Sequence, residues 1–356
     1  MNLEDLGYND HWKQAIREFE PRGLEAGRVM AEHRERYVVA TVRGEFEAEI
    51  AGNLRFTAQS REDFPAVGDW VAVAVFEPDM AIIHVVLPRH SLIKRKAVGQ
   101  QGEVQPIAAN IDFALIVQAA DRDFNLNRLE RYLTLCHASG VSPIIALTKI
   151  DLASDEQLEE IRAAIKARIK QVPLLSISNE SRQGYEQLEG ILEKGRTYCL
   201  LGSSGVGKSS LMNNLLGNEM MRTGHISLST HKGRHVTSHR ELSLLPGGSI
   251  LIDNPGMREV GLADAAGGLA RTFEQIGELA QNCKYPDCTH IHEAGCAVIQ
   301  AVEQGQIDPG AYENYLKMAR EEAHYEASAE ERKKKDKMLG KILKDYKKKD
   351  YKKRGG

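Results

Sequence analysis

The pattern of apolar and polar positions first changes near Arg36. From there to about Arg95, the short runs RYVVATV, GEFEAEI, GDWVAVAVF and AIIHVVL are rich in Val, Ile and aromatic residues, with glycine or proline between them. Such runs between turn residues predict four or five antiparallel strands that close into a small barrel. The residues before Arg36 show only a faint helical pattern.

From Ile107 onward, apolar runs alternate with amphipathic stretches. FALIVQAA, SPIIALTK, VPLLSIS, RTYCLLG and SILIDNPG are nearly continuous apolar runs, as expected of parallel strands covered on both faces. The stretches over residues 126–140 and 154–170 have helical spacing between them. This alternation predicts a doubly wound α/β domain. After about Ala263 the chain is predicted to be helical, and it ends in a lysine-rich tail.

Composition is that of an ordinary globular protein, with 42% hydrophobic and 27% charged residues. No run approaches the roughly 20 apolar residues that span a bilayer, and the acidic start MNLEDLGYNDHW does not resemble a secretory signal. We therefore expect a cytoplasmic protein with no membrane partner.

Charge is distributed unevenly along the chain. Residues 332–354 hold thirteen Lys/Arg and three Asp, a charge of +10, whereas the whole chain carries −3 and the remainder therefore −13. A basic tail on an acidic body favours an anionic partner such as nucleic acid; the alternative is a solvated helix end.

The run LLGSSGVGKSSLMNNLLG has the spacing of a phosphate-binding loop between a strand and a helix. Glycines let such a loop turn its N–H groups towards a polyphosphate, and the helix N-terminus adds a positive dipole end. Lys208 is placed to reach the β- and γ-phosphates, and the Ser209 hydroxyl to bind Mg²⁺. The predicted loop residues are Gly202, Ser203, Ser204, Gly205, Val206, Gly207, Lys208, Ser209 and Ser210.

Two later segments fit the switch regions of a GTPase. Asp253 ends an apolar strand and suits the carboxylate that supports Mg²⁺, and the turn after it would let the Gly256 N–H contact a γ-phosphate. In the polar segment between the loop and this strand, Thr237 is the candidate to close over Mg²⁺ and the γ-phosphate. Other hydroxyls with the same chemistry are Ser227, Ser229, Thr230 and Ser238.

Guanine selection is predicted at LTKID. The Asp151 carboxylate can accept hydrogen bonds from the guanine N1–H and amino group, a pattern that adenine lacks, and Lys149 packs beside the base. Thr148 stands where the usual motif has asparagine, and its hydroxyl can replace part of that hydrogen bonding. SISNES, which begins at Ser176, fits a second base-contacting loop. Both segments precede the phosphate loop, whereas ordinary GTPases place them after it, so the domain is predicted to be circularly permuted.

Three of the five cysteines fall within the fifteen residues NCKYPDCTHIHEAGC. Three thiolates and one imidazole fill a tetrahedral Zn²⁺ shell and leave no open position, which indicates one structural ion per chain. The candidate ligands are Cys283, Cys288 and Cys296 with either His290 or His292.

A barrel, a permuted GTPase domain and a zinc-ligand cluster together resemble the bacterial small-ribosomal-subunit-dependent GTPase family, RsgA (also called YjeQ), over roughly residues 35–325. The matching motifs are GDWVAV, TKID, GSSGVGKSSL, GRHVTSHREL, DNPGMRE and Cys-x4-Cys-x-His-x5-Cys. The resemblance implies GTP hydrolysis stimulated by the small ribosomal subunit, late in maturation of that subunit, with its rRNA as a partner. It also favours His290 over His292 as the zinc ligand.

The same resemblance assigns two switch residues. The family's His-Thr-Thr-Thr segment matches Thr237 to the switch threonine, and His235 to the histidine that replaces the missing catalytic glutamine. Met257 stands where Ras-like enzymes carry a water-orienting glutamine, and it offers no useful hydrogen bond to water. His239, His231 or a ribosomal group are the alternatives to His235. Slow turnover by the isolated protein is expected in each case.

The sequence thus predicts a multidomain monomer that hydrolyses GTP to GDP and phosphate, with Zn and Mg as cofactors. Two other functions stay open: an ATP-using nucleic-acid remodeller, which Asp151 argues against, and a nucleotide-gated RNA-binding adaptor without significant catalysis, which Lys208 and Asp253 argue against. The predicted parts are an N-terminal extension (1–34), an oligonucleotide-binding-type barrel (35–98), a circularly permuted P-loop GTPase domain (99–270), a helical zinc-binding subdomain (271–328) and a basic tail (329–356).

Overall fold

The computed structural model describes residues 2–33, 36–76, 78–96, 104–121, 124–220, 240–253 and 267–324. The predictions made for His235, Thr237, Gly256, Met257 and the basic tail lie outside these described residues.

Strands and helices account for most of the described chain. The strands are β1 (Glu25–His33), β2 (Arg36–Thr41), β3 (Gly44–Ile50), β4 (Trp70–Phe76), β5 (Met80–Val86), β6 (Leu92–Lys96), β7 (Val104–Ala109), β8 (Phe113–Ala119), β9 (Ser142–Thr148), β10 (Leu174–Ser176), β11 (Thr197–Leu201), β12 (Arg240–Leu244) and β13 (Ile250–Asp253). The helices are α1 (Asp10–Ile16), α2 (Gly52–Thr57), α3 (Leu126–Ala138), α4 (Asp155–Arg168), α5 (Tyr185–Ile191), α6 (Lys208–Met220), α7 (Gly268–Thr272), α8 (Glu274–Ala280), α9 (Ala297–Glu303) and α10 (309–324).

The first five strands form the predicted barrel, although β3 and β5 pair in parallel where only antiparallel strands were predicted. Their order is β1-β2-β3-β5-β4, and β4 pairs back onto β1, with Trp70 opposite Arg28, so the barrel closes. Phe46 and Ala48 of β3 point into the barrel core, and the glutamates that alternate with them are exposed. This alternation fixes which face of the strand packs inward. The closed five-stranded order confirms the predicted oligonucleotide-binding-type barrel.

The barrel begins earlier in the chain than the predicted boundary at residue 35. β1 starts at Glu25, inside the stretch assigned to the N-terminal extension, and Leu6 and Trp12 of that stretch are buried. The strand was not predicted from the sequence EAGRVMAEH because charged residues interrupt its apolar pattern. One of these, Arg28, is only 1% exposed.

Arg28 joins three parts of the molecule. Its guanidinium donates hydrogen bonds to the Leu6 carbonyl and, over 2.7 Å, to the hydroxyl of Thr197, which begins β11. It also lies 5.4 Å from the ring centroid of Trp70. Burial lowers the pKa of Arg28 to about 10, so the side chain stays charged at neutral pH. The N-terminal segment, the barrel and the α/β domain therefore share one buried cation with its partners.

The predicted α/β domain is confirmed. Its strand order is β10-β9-β8-β11-β13-β12, with β8 to β11 and β13 parallel and β12 antiparallel at the end. β11 lies between β8 and β13 in space although it follows β8, β9 and β10 in the chain. β12 also pairs with β1, with Glu241 opposite Ala31, so the hydrogen-bonded ladder continues into the barrel.

Two of the predicted domain boundaries fall inside units of the structure. β6 and β7 pair with each other, Leu92 opposite Ala109, and the boundary after residue 98 lies between them. The boundary after residue 270 lies within α7. The hairpin and the helix each span two of the predicted parts.

The C-terminal region has a small core of its own. Phe273, Ile276, Val298 and Met318 are buried together beside the cysteine cluster. α7 packs on α3 so closely that a Cβ at Gly268 would lie 2.4 Å from the Thr134 carbonyl oxygen. In the described part of the chain, no helix has both the length and the apolar character that crossing a bilayer requires.

A buried ion pair holds the turn that leads into β4. The Asp69 carboxylate is completely buried and receives hydrogen bonds from the Arg89 guanidinium at 2.8 and 2.6 Å and from the Ala66 N–H at 2.7 Å. Arg89 also donates to the carbonyls of Glu62 and Phe64. Removal of one partner would leave the other charge buried without its counter-ion.

We predict that Asp69→Ala lowers the free energy of unfolding by about 3 kcal/mol, because a buried charge loses its partner. Urea unfolding followed by tryptophan fluorescence measures this, since both tryptophans, Trp12 and Trp70, lie in this part of the molecule. Glu47→Gln is the control, because the ion pair of Glu47 with Arg36 is exposed and 4.0 Å long. This substitution should leave the urea midpoint nearly unchanged. Equal midpoints for the two variants would contradict the prediction.

Candidate nucleotide site and metal centre

The predicted phosphate loop connects the end of β11 to the start of α6. The Lys208 Nζ donates to the carbonyl oxygen of Gly202 at 2.7 Å and to that of Ser203. Ser209 and Ser210 are exposed in the first turn of α6. The ammonium group and the two exposed hydroxyls thus lie in the loop and at the start of the helix that follows it, as the motif predicts.

The two segments that are predicted to contact the base both touch this loop. The buried Thr148 hydroxyl donates to the Val206 carbonyl oxygen over 2.6 Å. The Asn179 Nδ2 donates to the next carbonyl oxygen, that of Gly207, over 3.0 Å. β9, β10 and β11 are parallel, so the segments that follow them meet at one edge of the sheet. The structure therefore brings the predicted base and phosphate segments together.

Lys149 and Asp151 lie in the turn after β9. Lys149 has a positive φ of 57°, and its Nζ is 2.9 Å from the Asp121 carboxylate, which follows β8. The Asp151 side chain is exposed and accessible to a base. The Ser176 hydroxyl accepts a hydrogen bond from the Arg162 side chain of α4 at 3.2 Å and keeps its own proton to donate, so its contact with a base stays a prediction.

Asp253 is the last residue of β13, which runs parallel to β11 with Ile252 opposite Cys199. Because β11 continues directly into the phosphate loop, the Asp253 carboxylate lies at the same sheet edge as Ser209. This placement agrees with the predicted supporting role for Mg²⁺.

The sequence did not single out Arg128 or Asn179. The Arg128 Nη1 donates to the Ser203 Oγ of the phosphate loop over 3.0 Å, from the first turn of α3. Asn179 lies within SISNES, the segment that was predicted to contact the base, and this was the available clue. No comparable clue marks Arg128, because its contact depends on how α3 packs beside β11.

α3 also holds the C-terminal region. The buried Glu130 carboxylate accepts hydrogen bonds from Arg168 of α4 and from the Asn314 side chain of α10, both at 2.6 Å. Burial is the main cause that raises the pKa of Glu130, and the Arg168 and Asn314 contacts oppose it. Arg131 forms a two-pronged ion pair with Glu321 of α10, at 3.2 and 2.7 Å. One helix therefore contacts both the phosphate loop and α10.

The cysteine cluster gathers four ligand atoms, from Cys283, Cys288, His290 and Cys296, within 4.8 Å of one another. Individual separations are 3.8 Å between the sulfurs of Cys283 and Cys296, 3.6 Å from Cys283 to His290 Nδ1, and 3.4 Å from His290 Nδ1 to Cys296. Zn–S and Zn–N bonds of about 2.3 and 2.0 Å give tetrahedral edges of about 3.8 Å for S···S and about 3.5 Å for S···N. The cluster fits a closed tetrahedral metal shell.

The histidine in the cluster is His290. It is one of the two histidines that the residues alone left open as the fourth ligand, and the one that the family resemblance favoured. It is buried, with its carbonyl accepting a hydrogen bond from the Tyr312 hydroxyl of α10, whereas the exposed His292 is outside the cluster. Cys296 precedes α9 and belongs to the small C-terminal core. A metal bound here would connect the loop over residues 283–296 to α9 and, through His290, to α10.

Comparison with family models gives two matches. A model described as RsgA GTPase matches residues 86–263. A model described as ABC transporter matches residues 185–354, a span that includes the phosphate loop common to ATPases and GTPases. The second match does not include the base-contacting segments at 148–151 and 176–179.

Curated relatives match most of the chain. A protein from Opitutus terrae named small ribosomal subunit biogenesis GTPase RsgA is 40% identical over 336 residues, which are 91% of this chain and 90% of the relative. One from Listeria monocytogenes, named small ribosomal subunit biogenesis GTPase RsgA 2, is 44% identical over 332 residues, with 91% and 90% covered.

Solved structures agree with these relatives. YjeQ from Thermotoga maritima has a TM-score of 0.64 at 25% identity, over 84% of this chain and 99% of YjeQ. YloQ, described as a circularly permuted GTPase, has a TM-score of 0.62 at 25% identity, over 85% and 96%.

The fold and the site define a circularly permuted P-loop GTPase with a closed β-barrel before it and a Cys₃His cluster after it. The chain belongs to the RsgA GTPase family, as the resemblance indicated, and is a GTP hydrolase.

We predict that His290→Ala loses bound metal whereas His292→Ala retains one zinc per chain, because only His290 is within reach of the three thiols. Metal content of the purified variants, measured by elemental analysis, checks this. The His290 variant should also unfold at lower temperature, since a structural ion contributes its binding free energy to folding. Full zinc content in His290→Ala would contradict the assignment.

Proposed function

We propose that this chain binds the maturing small ribosomal subunit in its GTP-bound form and leaves after it hydrolyses GTP. The observation that carries this is the meeting of the phosphate loop with the two predicted base segments at one sheet edge, in a chain whose relatives are named for small-subunit biogenesis over nine-tenths of its length. The relatives' partner is the subunit, and rRNA is its anionic component. The barrel and the +10 tail segment give this chain two features suited to RNA.

Each site residue has a distinct role in this proposal. Asp151 accepts hydrogen bonds from guanine, and Lys208 contacts the β- and γ-phosphates together with loop N–H groups. Ser209 and Asp253 support Mg²⁺, which when bound neutralises charge between the phosphates. Thr237 closes over the γ-phosphate.

His235 orients the attacking water in this proposal, in place of the glutamine that Ras-like enzymes use. A histidine in a switch segment can be correctly placed only when that segment adopts its closed conformation. We propose that binding to the subunit stabilises this conformation, so hydrolysis is slow in the free protein and stimulated in the complex.

α3 provides a physical route between the nucleotide and the C-terminal region. Ser203 of the phosphate loop contacts Arg128, and the same helix contacts α10 through Glu130 and Arg131. We propose that the C-terminal region, held by one structural zinc ion, contacts rRNA and responds to the nucleotide through this helix. The protein acts as a monomer in the cytoplasm, where ribosomal subunits mature.

We predict slow GTP turnover by the isolated protein and an increase of at least tenfold with small ribosomal subunits. Lys208→Ala should lose both activities, because the loop cannot bind phosphates productively without its ammonium group. Phosphate release with GTP and with ATP, with and without subunits, measures all three effects.

Lys194→Ala is the matched control, because Lys194 is an exposed lysine whose ion pair is with Asp5, away from the loop. Its turnover should equal that of the unsubstituted protein. GTP turnover without any stimulation by subunits would favour the nucleotide-gated RNA adaptor, and equal use of ATP would favour the remodeller.

We predict that Asp151→Asn weakens GTP binding by about a hundredfold and strengthens binding of xanthosine triphosphate. The carboxylate accepts from the guanine amino group, whereas an amide can donate to the carbonyl that xanthine carries at that position. Competition against a fluorescent guanine nucleotide measures both affinities. Glu159→Gln, an exposed substitution on α4, serves as the control. Unchanged preference for GTP in Asp151→Asn would show that another group reads the base.

A further inference from the structure

We propose that Asn179 is the positioning residue that orients the phosphate loop from the base-recognition side, supplying the amide that Thr148 lacks. The proposal rests on the nucleotide site described above. It assigns to Asn179 a role that neither the loop motif nor the TKID motif contains.

The argument begins with two consecutive carbonyl groups of the loop. Thr148 donates to the Val206 carbonyl at 2.6 Å, and the Asn179 Nδ2 donates to the Gly207 carbonyl at 3.0 Å. The C=O and the following N–H of a trans peptide point in opposite directions within one plane. Holding the Val206 carbonyl outward therefore directs the Gly207 N–H inward, and holding the Gly207 carbonyl directs the Lys208 N–H inward. These N–H groups face the predicted phosphate position.

The amide of Asn179 is itself fixed in orientation. The Tyr185 hydroxyl donates to the Asn179 Oδ1 over 2.8 Å and accepts a hydrogen bond from the Asn214 side chain, also at 2.8 Å. Asn214 donates as well to the Asn179 carbonyl oxygen at 3.0 Å. With Oδ1 satisfied by a donor, the NH₂ group must face Gly207, where a flipped amide would place two oxygens against each other. Asn214 belongs to α6, so this network also ties the base loop to the phosphate-loop helix.

The loop is shaped to fit this contact. Gly207 has a positive φ of 94°, and a Cβ there would lie 2.7 Å from the Asn179 Nδ2. The Gly207 carbonyl also accepts the first hydrogen bond of α6, from the Leu211 N–H at 2.9 Å. Asn179 therefore occupies the second acceptor position of a carbonyl already fixed by the helix.

The contact of Asn179 explains in physical terms how position 148 can hold threonine in place of the usual asparagine. A threonine hydroxyl is short and has one proton to donate, so it holds one carbonyl. An amide reaches further and donates from two N–H bonds. In this chain the hydroxyl holds Val206, and the amide is placed on the neighbouring base loop, where it holds Gly207.

The test compares binding of a fluorescent GDP analogue by the full chain carrying Asn179→Ala or Asn179→Asp. We expect the dissociation constant to rise about tenfold for Asn179→Ala, since the hydrogen bond that holds the Gly207 carbonyl is lost. It should rise further for Asn179→Asp, whose carboxylate oxygen would face the Gly207 carbonyl. KM for GTP should rise with kcat nearly unchanged, as expected when ground state and transition state lose the same contact. Glu186→Ala, an exposed substitution on α5 outside the predicted base-contacting segment, should bind as the unsubstituted chain does.

Two further readouts separate positioning from a structural defect. The ratio of GDP to IDP affinity should stay constant in Asn179→Ala, because Asp151 still reads the guanine amino group. Adding Thr148→Asn to Asn179→Ala should recover part of the affinity, because an amide is restored next to the loop. A loss of base discrimination, or no recovery in the double variant, would overturn the proposal.

Binding by Asn179→Ala within twofold of the unsubstituted chain would also overturn the proposal and leave the nucleotide site intact. Failure of the unsubstituted chain to bind GDP would instead overturn the nucleotide site itself. The two failures are therefore distinguishable in one experiment.

Discussion

A phosphate loop can turn its N–H groups towards a nucleotide only if the carbonyls of the same peptides find partners on the outer side. In this chain those partners come from segments that precede the loop in sequence: Thr148 holds Val206, and Asn179 holds Gly207. The contacts need only a common edge of a parallel sheet, where β9, β10 and β11 end. Permutation changes the order of the segments along the chain and leaves this edge unchanged.

The same loop is contacted from its other side by α3. Arg128 reaches Ser203, while the next turn places Glu130 and Arg131 against α10. At the far end of the sheet, β12 pairs with β13 and with barrel strand β1. One strand, β12, thus separates the barrel from β13, and one helix, α3, connects the C-terminal region to the phosphate loop. This arrangement suits the proposal that the nucleotide controls how the barrel and the C-terminal region are presented to rRNA.

Much of this was predictable, and the exceptions have physical causes. Continuous apolar runs identified the parallel strands, and the glycine spacing identified the phosphate loop, because both patterns are local. β1 was missed because Arg28 is buried by partners distant in sequence, Leu6 and Thr197. The residues alone left His290 and His292 open, and the family resemblance favoured His290, the histidine that lies in the cluster. The contact of Arg128 depends on packing between elements that the sequence pattern does not encode.

The central claim is that guanine nucleotides bind at the edge formed by the phosphate loop and the two base segments. Amide hydrogen exchange with GDP and Mg²⁺, compared with ADP and Mg²⁺ at the same concentration, tests it most directly. The account predicts that GDP slows exchange in residues 202–210, 148–151 and 176–179, and that ADP leaves all three segments unchanged. Equal protection by ADP, or protection by GDP confined to other segments, would contradict it.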